Sequence, residues 1–315
     1  MKIATITLNP AIDQTVFVND FQPNSVNRAL AMQRDAGGKG VNVASFLADY
    51  GLQVTVTGLL GAENPHIFER HFAAKGIADR FIRVPGATRI GVKIVDEAHQ
   101  QTTDINMPGS PPPPGALEAL LTTIDQLAAD HEWFVLAGKL PPGVPPTFAA
   151  EVVTRLRARG CRVALDASGA ALHAGLRAGP TIAKPNLEEL RQISAAPLET
   201  TDAVIEAAHQ LNRWGVALAI ISMGADGALF SDGTRCVLAV PPQITVKSTV
   251  GAGDAMVAGT IAAQIAGLDL AATARLATAF SLAALAGIGA HLPERNRLAT
   301  LADHVVVTAL EPTTV

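Results

Sequence analysis

Trp133-Phe-Val-Leu-Ala137, Arg162-Val-Ala-Leu-Asp166, Thr181-Ile-Ala-Lys184 and Leu218-Ala-Ile-Ile-Ser222 are short apolar runs, and longer Ala-rich helical patterns follow them. Val54–Leu60 has the same character, with β-branched residues that fit a pleated strand. Strands alternating with helices imply βαβ units, hence an α/β fold built on a mainly parallel sheet. Ligands of such sheets bind beyond the carboxyl ends of the strands, where Asp166, Lys184 and Ser222 fall.

Working outward, Met1–Pro10 reads as a first strand, since its short β-rich run ends at Asn9-Pro10 and lacks the long apolar stretch of a signal peptide. Segments of about 12–35 and 81–107 break the alternation. Their short runs Thr15–Val18, Arg89–Val95 and Thr102–Asn106 leave no room for helices, which predicts a small antiparallel lid on a single domain spanning 1–315. Pro108-Gly-Ser-Pro-Pro-Pro-Pro-Gly115 reads as a stiff connector from the lid back to the main domain, or as an ordinary surface loop.

The chain has 315 residues, 49% of them hydrophobic and 17% charged, enough to bury a large core and too apolar for disorder. The net charge of −4 comes without a Lys/Arg cluster, which argues against a nucleic-acid partner. Cys161 and Cys236 stand far apart without metal-ligand or redox spacing and read as packing residues. The most apolar region, Ile261–Ala290, is interrupted by Gln264, Asp269 and Arg275, so it predicts packed helices and no membrane span. A soluble, cytoplasmic protein is expected.

Two glycine-rich turns carry the chemistry. Ser248-Thr-Val-Gly-Ala-Gly-Asp254 precedes an apolar helix, so the amides of Gly251, Ala252 and Gly253 would stand unpaired at a helix N-terminus that favours a phosphate. Asp254 beside that phosphate can accept the proton of an attacking alcohol, or it can simply cap the helix. Gly37-Gly-Lys-Gly-Val-Asn42 also leads into a helix pattern and could bind an anion, but it is no Walker A motif, and a plain turn explains it equally. No Gly-x-Gly-x-x-Gly follows the first strand with an acidic residue about 20 positions on, which excludes a Rossmann dehydrogenase.

Asn9-Pro-Ala-Ile-Asp13, Gly37–Asn42, Lys184-Pro-Asn-Leu-Glu-Glu189 and Ser248–Asp254 occur in an order that resembles the ribokinase-like, phosphofructokinase B family of carbohydrate kinases over nearly the whole chain. The resemblance implies a ribokinase-like three-layer core with a small β lid, ATP as phosphoryl donor, Mg2+, and a homodimer formed through the lid. It casts Asp254 as general base and Gly251, Ala252 and Gly253 as anion hole. Asn186 and Glu189 match a motif that helps hold magnesium through water. Lys184, Asn186, Ser222, Gly224, Ser248, Thr249, Gly251 and Gly253 would face the nucleotide, although Ser222–Ala228 also reads as a hairpin turn. Asp13, Gly38 and Asn42 would line the sugar site, where an ionised acceptor suits hydroxyl groups.

Asn9–Asp13, Thr88–Lys93 and Thr103–Asn106 are closest to the branch that accepts phosphorylated ketohexoses, and Arg89 and Lys39 supply cations for a substrate phosphate. The expected reaction is transfer from ATP to the C6 hydroxyl of D-fructose 1-phosphate, giving fructose 1,6-bisphosphate and ADP. Fructose 6-phosphate and tagatose 6-phosphate are the rival acceptors, and a catalytically silent sugar-phosphate sensor is the rival of another class. Two positions depart from that branch: Gly91 where Asn is common, and Lys139 where Ser is common. Lys139 either contacts the substrate phosphate or points to solvent.

Overall fold

The computed structural model describes residues 1–194, 197–244, 246, 251–287 and 289–310. The first strand, β1 (Lys2–Thr7), leads into β2 (Ala11–Val18), β3 (Ala29–Gly37) and helix α1 (Lys39–Asp49). Next come β4 (Gln53–Gly61), α2 (His66–Lys75), β5 (Ala78–Asp79), β6 (Ile82–Val84), β7 (Ile90–Asp96) and β8 (Gln101–Ile105). The alternating region contributes α3 (Ala116–Leu127), β9 (Trp133–Ala137), α4 (Thr147–Arg157), β10 (Arg162–Asp166), α5 (Gly169–Arg177) and β11 (Ile182–Ala183). It continues with α6 (Leu187–Arg191), α7 (Thr201–Arg213), β12 (Leu218–Ser222), β13 (Ala228–Ser231) and β14 (Cys236–Val240). The chain closes with α8 (Ala252–Ile265), α9 (Leu270–Leu285), α10 (Arg295–Asp303) and β15 (Val306–Leu310).

The large sheet runs β15-β14-β13-β12-β11-β10-β9-β1-β4-β5, with β6 added beside β4. From β12 to β5 its pairs are parallel, whereas β13, β14 and β15 extend it by antiparallel pairing. Burial on both faces explains why the central strands read as continuous apolar runs. Side chains still alternate: Trp133, Val135 and Ala137 enter one apolar layer, and Phe134 and Leu136 enter the other. Helices α1, α2, α8 and α9 cover the first face, and α3, α4, α5 and α7 the second, which makes the three-layer α/β core. Fully buried Trp133, Phe46, Phe230 and Phe280 each stabilise it by roughly 1.5–3 kcal/mol through apolar burial.

From Ile261 to Leu285 the apolar stretch lies in helices α8 and α9 and the turn between them: α8 is buried from Asp254 to Ala263, and Gly259 lets α9 approach closely, since a Cβ there would lie 2.8 Å from Ala277 Cα. Among the described residues no helix is long and apolar enough to cross a membrane.

A second sheet has the order β3-β2-β7-β8, with β2 parallel to β7 and its other pairs antiparallel. Stretch 81–107 is therefore shared, because β6 joins the large sheet while β7 and β8 lie in the small one. Both sheets meet at the carboxyl end of β1, where Asn9-Pro10 turns the chain from one into the other.

Candidate active site

Helix α8 starts at an unusual cap. Gly251 occupies the N-cap in the left-handed region at φ 83°, where a side chain would be strained, and no side chain among the described residues caps the helix. First-turn amides thus have no side-chain acceptor among the described residues and suit an outside one. Asp254 is the third helical residue and not the cap, so its carboxylate is not used in capping. Asn42 Nδ2, on α1, donates to Asp254 Oδ2 at 2.7 Å. Burial, then the nearby Asp166 charge, push the Asp254 pKa up to about 6, against the pull of Lys39, Asn42 and Lys184. That value suits a base that must take and release a proton near neutrality.

Lys39 opens α1, and its Nζ donates to Asp166 Oδ1 at 2.9 Å, while Lys184 Nζ lies 3.6 Å from the same oxygen. Asp166 is fully buried at the carboxyl end of β10. Burial would raise its pKa, but Lys184 and Lys39 outweigh this and hold the carboxyl below its usual range. Burial likewise opposes the Lys39 charge, and Asp166 with Asp254 overcomes it, raising its pKa. A Cβ on Gly253 would lie 3.2 Å from Lys184 Nζ, so that ammonium faces the first turn of α8. Lysine charge and helix dipole therefore converge on one spot suited to a transferring phosphoryl group.

Asn186 and Glu189 form a capping box on α6. The Glu189 amide donates to Asn186 Oδ1 at 2.7 Å, and the Asn186 amide donates to Glu189 Oε2 at 3.0 Å. Glu189 keeps its second carboxylate oxygen without a hydrogen bond to any described residue. Ser222 ends β12 and bridges to Asn186, which brings the two motifs side by side. Gly224 sits at φ 64° in the turn to β13, where the Met223 amide donates to Gly227 O at 2.8 Å, so Ser222–Ala228 is a hairpin. Ser248 and Thr249 lie outside the described residues.

On the sugar side, Asp13 projects from β2 against Gly37, where a Cβ would come within 2.1 Å of its Oδ2. Burial pushes the Asp13 pKa up to about 6, with Lys93 and Arg89 pulling it down. Gly38 begins α1 against Pro10 and Thr7. Arg89 is partly committed: its Nε and Nη2 donate to Asn9 Oδ1 and Asn9 O at 2.9 and 3.2 Å, and its Nη1 donates to Met107 O at 3.1 Å. One N–H on each terminal nitrogen remains for a substrate. Lys139, just past β9, is exposed and makes no hydrogen bond or ion pair with a described residue.

The structure thus brings Asp254, Asn42, Lys39 and Lys184 together and gathers Asp13, Gly38 and Arg89 on the lid side. Asn42 reaches the base and Lys39 is balanced by a carboxylate, contacts that no motif announces. The sequence placed Asp166 at the ligand-binding edge and Asn9 in a motif, but gave neither a role in the site. A lone acid directly after the buried run Val163-Ala-Leu165 was the available signal for Asp166.

Known proteins resemble this chain in sequence and fold. The model of the pfkB family carbohydrate kinases covers residues 6–297. A 1-phosphofructokinase of Rhodobacter capsulatus is 53% identical over 313 residues, covering 99% of each chain. The 1-phosphofructokinase of Vibrio cholerae is 42% identical over 312 residues, 99% of this chain and 98% of its own. Phosphofructokinase-2 from Escherichia coli in complex with substrates and products superposes with a TM-score of 0.90 at 27% identity, covering 96% of this chain and 99% of its own. With the family pattern matched from β1 to α10 and relatives aligned end to end, this chain belongs to the pfkB family of carbohydrate kinases.

Proposed function

We propose that this kinase transfers the γ-phosphoryl group of ATP to the C6 hydroxyl of D-fructose 1-phosphate, giving fructose 1,6-bisphosphate and ADP. The observation that carries the reading is a buried carboxylate, Asp254, held by Asn42 inside the uncapped first turn of α8. Full-length relatives at 53% and 42% identity are 1-phosphofructokinases, which favours the 1-phosphate acceptor over either 6-phosphate. A silent sensor would have no need of a buried carboxylate held by Asn42 in the first turn of the glycine-opened helix.

In this reading Asp254 takes the proton of the C6 hydroxyl as its oxygen attacks the γ-phosphorus and the bond to the ADP oxygen breaks. Amides of Gly251, Ala252 and Gly253 and the Lys184 ammonium stabilise charge on the transferred group. Asp166 keeps Lys39 charged and holds both Lys39 and Lys184 in place. Asp13 accepts a hydrogen bond from a sugar hydroxyl, and the free N–H groups of Arg89 and the exposed Lys139 ammonium meet the substrate phosphate. Ser222 and Gly224, beside Asn186, face the nucleotide, as Ser248 and Thr249 do in the motif.

Glu189, with one carboxylate oxygen that has no hydrogen bond to any described residue, fits a magnesium ion held through water and ATP phosphates. When bound, the ion neutralises phosphate charge. The four-stranded sheet acts as the lid, excluding water as a competing acceptor. Val26, Leu30 and Met32 on that sheet and its tip are 84%, 62% and 56% exposed, an apolar surface suited to pairing two lids in a homodimer. Reliance on ATP and two unpaired thiols suits the cytoplasm.

The test is ADP release with Mg-ATP and, in parallel, fructose 1-phosphate, fructose 6-phosphate, tagatose 6-phosphate and fructose. The highest kcat/KM is expected for fructose 1-phosphate. Preference for a 6-phosphate overturns the acceptor, and no turnover with any of them overturns the kinase.

A further inference from the structure

Residues at matching register positions form a row across the small sheet. Asp35 on β3 pairs with Asp13 on β2, and Asp13 pairs with Gly91 on β7. Val92 pairs with Ile105, so the next position opposite Gly91 is Asn106, just past β8. Side chains in one row point to one face. Gly91 leaves a gap in this row: a Cβ there would lie 3.4 Å from Asp13 Oδ1 and 3.5 Å from Asn106 Oδ1. The carboxylate and the carboxamide therefore flank one vacant position at the floor of the sugar site.

Two hydrogen bonds fix the backbone beyond Asn106. Arg89 Nη1 donates to Met107 O at 3.1 Å, and Asn9 Nδ2 donates to Pro108 O at 3.1 Å. Asn106 itself makes no hydrogen bond to any described residue. A carboxamide held on a fixed backbone, beside the sugar-binding carboxylate and without a protein partner, has its hydrogen-bonding capacity free for a ligand.

The chemistry at the gap is complementary. An ionised Asp13 only accepts, so a sugar hydroxyl that donates its hydrogen to Asp13 still needs a donor for its lone pairs. The Asn106 amide supplies N–H donors, and rotation about its terminal torsion turns them toward the gap. We propose that Asn106 is a substrate-binding and specificity-determining residue, which with Asp13 brackets a hydroxyl of the ketohexose phosphate over Gly91. The same carboxamide at position 91 would reach that hydroxyl from the floor of the gap, so Gly91 and Asn106 offer alternative anchors for one function. This inference rests on the sugar-kinase reading above.

The experiment measures kcat and KM for sugar and for ATP in wild type, Asn106→Ala, Asn106→Asp, Gly91→Asn/Asn106→Ala and Gly91→Asn, with thermal unfolding of each. For Asn106→Ala, KM for the preferred acceptor should rise about tenfold, the equivalent of one hydrogen bond, with kcat and KM for ATP unchanged. Asn106→Asp keeps the shape but loses the donor, and it should show the same defect. Gly91→Asn/Asn106→Ala should return KM to within about threefold of wild type, because the new Cβ meets only ordinary contacts. An unchanged sugar KM in Asn106→Ala overturns the proposal. So does an equal loss in kcat and both KM values with a lowered Tm, which marks a purely structural role. If wild type prefers another acceptor, fructose 1-phosphate as substrate fails. The Asn106 variants, assayed with the acceptor wild type does use, then decide this inference separately.

Discussion

Asp254→Asn separates catalysis from stability in opposite directions. The Asp254 pKa rises from an ordinary 3.8 to about 6 in the folded protein. A raised carboxyl pKa means the folded state prefers the protonated form, so the stability this proton gives is complete below pH 3.8 and is lost as pH rises through about 6. The shift of about two units corresponds to about 3 kcal/mol at pH 8 and roughly half of that at pH 5. Asparagine removes the charge yet still offers an oxygen to Asn42, whose bond is 2.7 Å in the wild type. Asp254→Asn is therefore expected to raise Tm at pH 8 by several degrees and to do so less at pH 5. Turnover should fall by about 10²–10⁴, the usual worth of a general base, while fructose 1-phosphate and ATP still bind. Thermal unfolding at the two pH values, ADP release and calorimetric titration read the three quantities. Turnover within tenfold of wild type would refute the base, and a Tm gain that is negative or independent of pH would refute the charge argument.

Both Asp13 and Asp254 must be ionised, and both have pKa values of about 6, so log(kcat/KM) should fall with a slope approaching about 2 well below that pH. Asp166→Asn removes a neighbour that holds the Asp254 pKa up, so the acid limb should move to lower pH. It also strips Lys39 and Lys184 of a shared buried partner, with a stability loss of about 3–5 kcal/mol in chemical unfolding. Gly37→Ala places a methyl 2.1 Å from Asp13 Oδ2 at a residue with no left-handed φ to strain, so the carboxylate must move. KM for the sugar should rise about tenfold or more with KM for ATP unchanged, and a sugar KM left at its wild-type value would remove Asp13 from the site.

Much of the fold was legible because burial on both faces leaves a local trace. Strands β9, β10 and β12 have the bounds their apolar runs predict, and the broken apolar stretch from Ile261 forms packed helices up to Leu285. Arg89–Val95 and Thr102–Asn106 were likewise visible as the short strands β7 and β8. The stretch 81–107 was less legible: nothing in Ile82-Arg-Val84 says which sheet it joins, since pairing with β4 depends on a neighbour far away in sequence.

The sequence by itself determined which chemistry is available: glycine turns opening helices, a carboxylate after one of them, and cations enough for phosphates. It did so because turn conformations and helix ends are set by adjacent residues. Tertiary structure alone decided which groups share a charge or a hydrogen bond. Lys39 and Asp166 are 127 positions apart, and Asn42 and Asp254 are 212 apart, so no local pattern could pair them. The same holds for the gap over Gly91, where three strands bring Asp13 and Asn106 to one vacant position. Register between strands, fixed by the small sheet as a whole, turned an absent side chain into a place for a ligand.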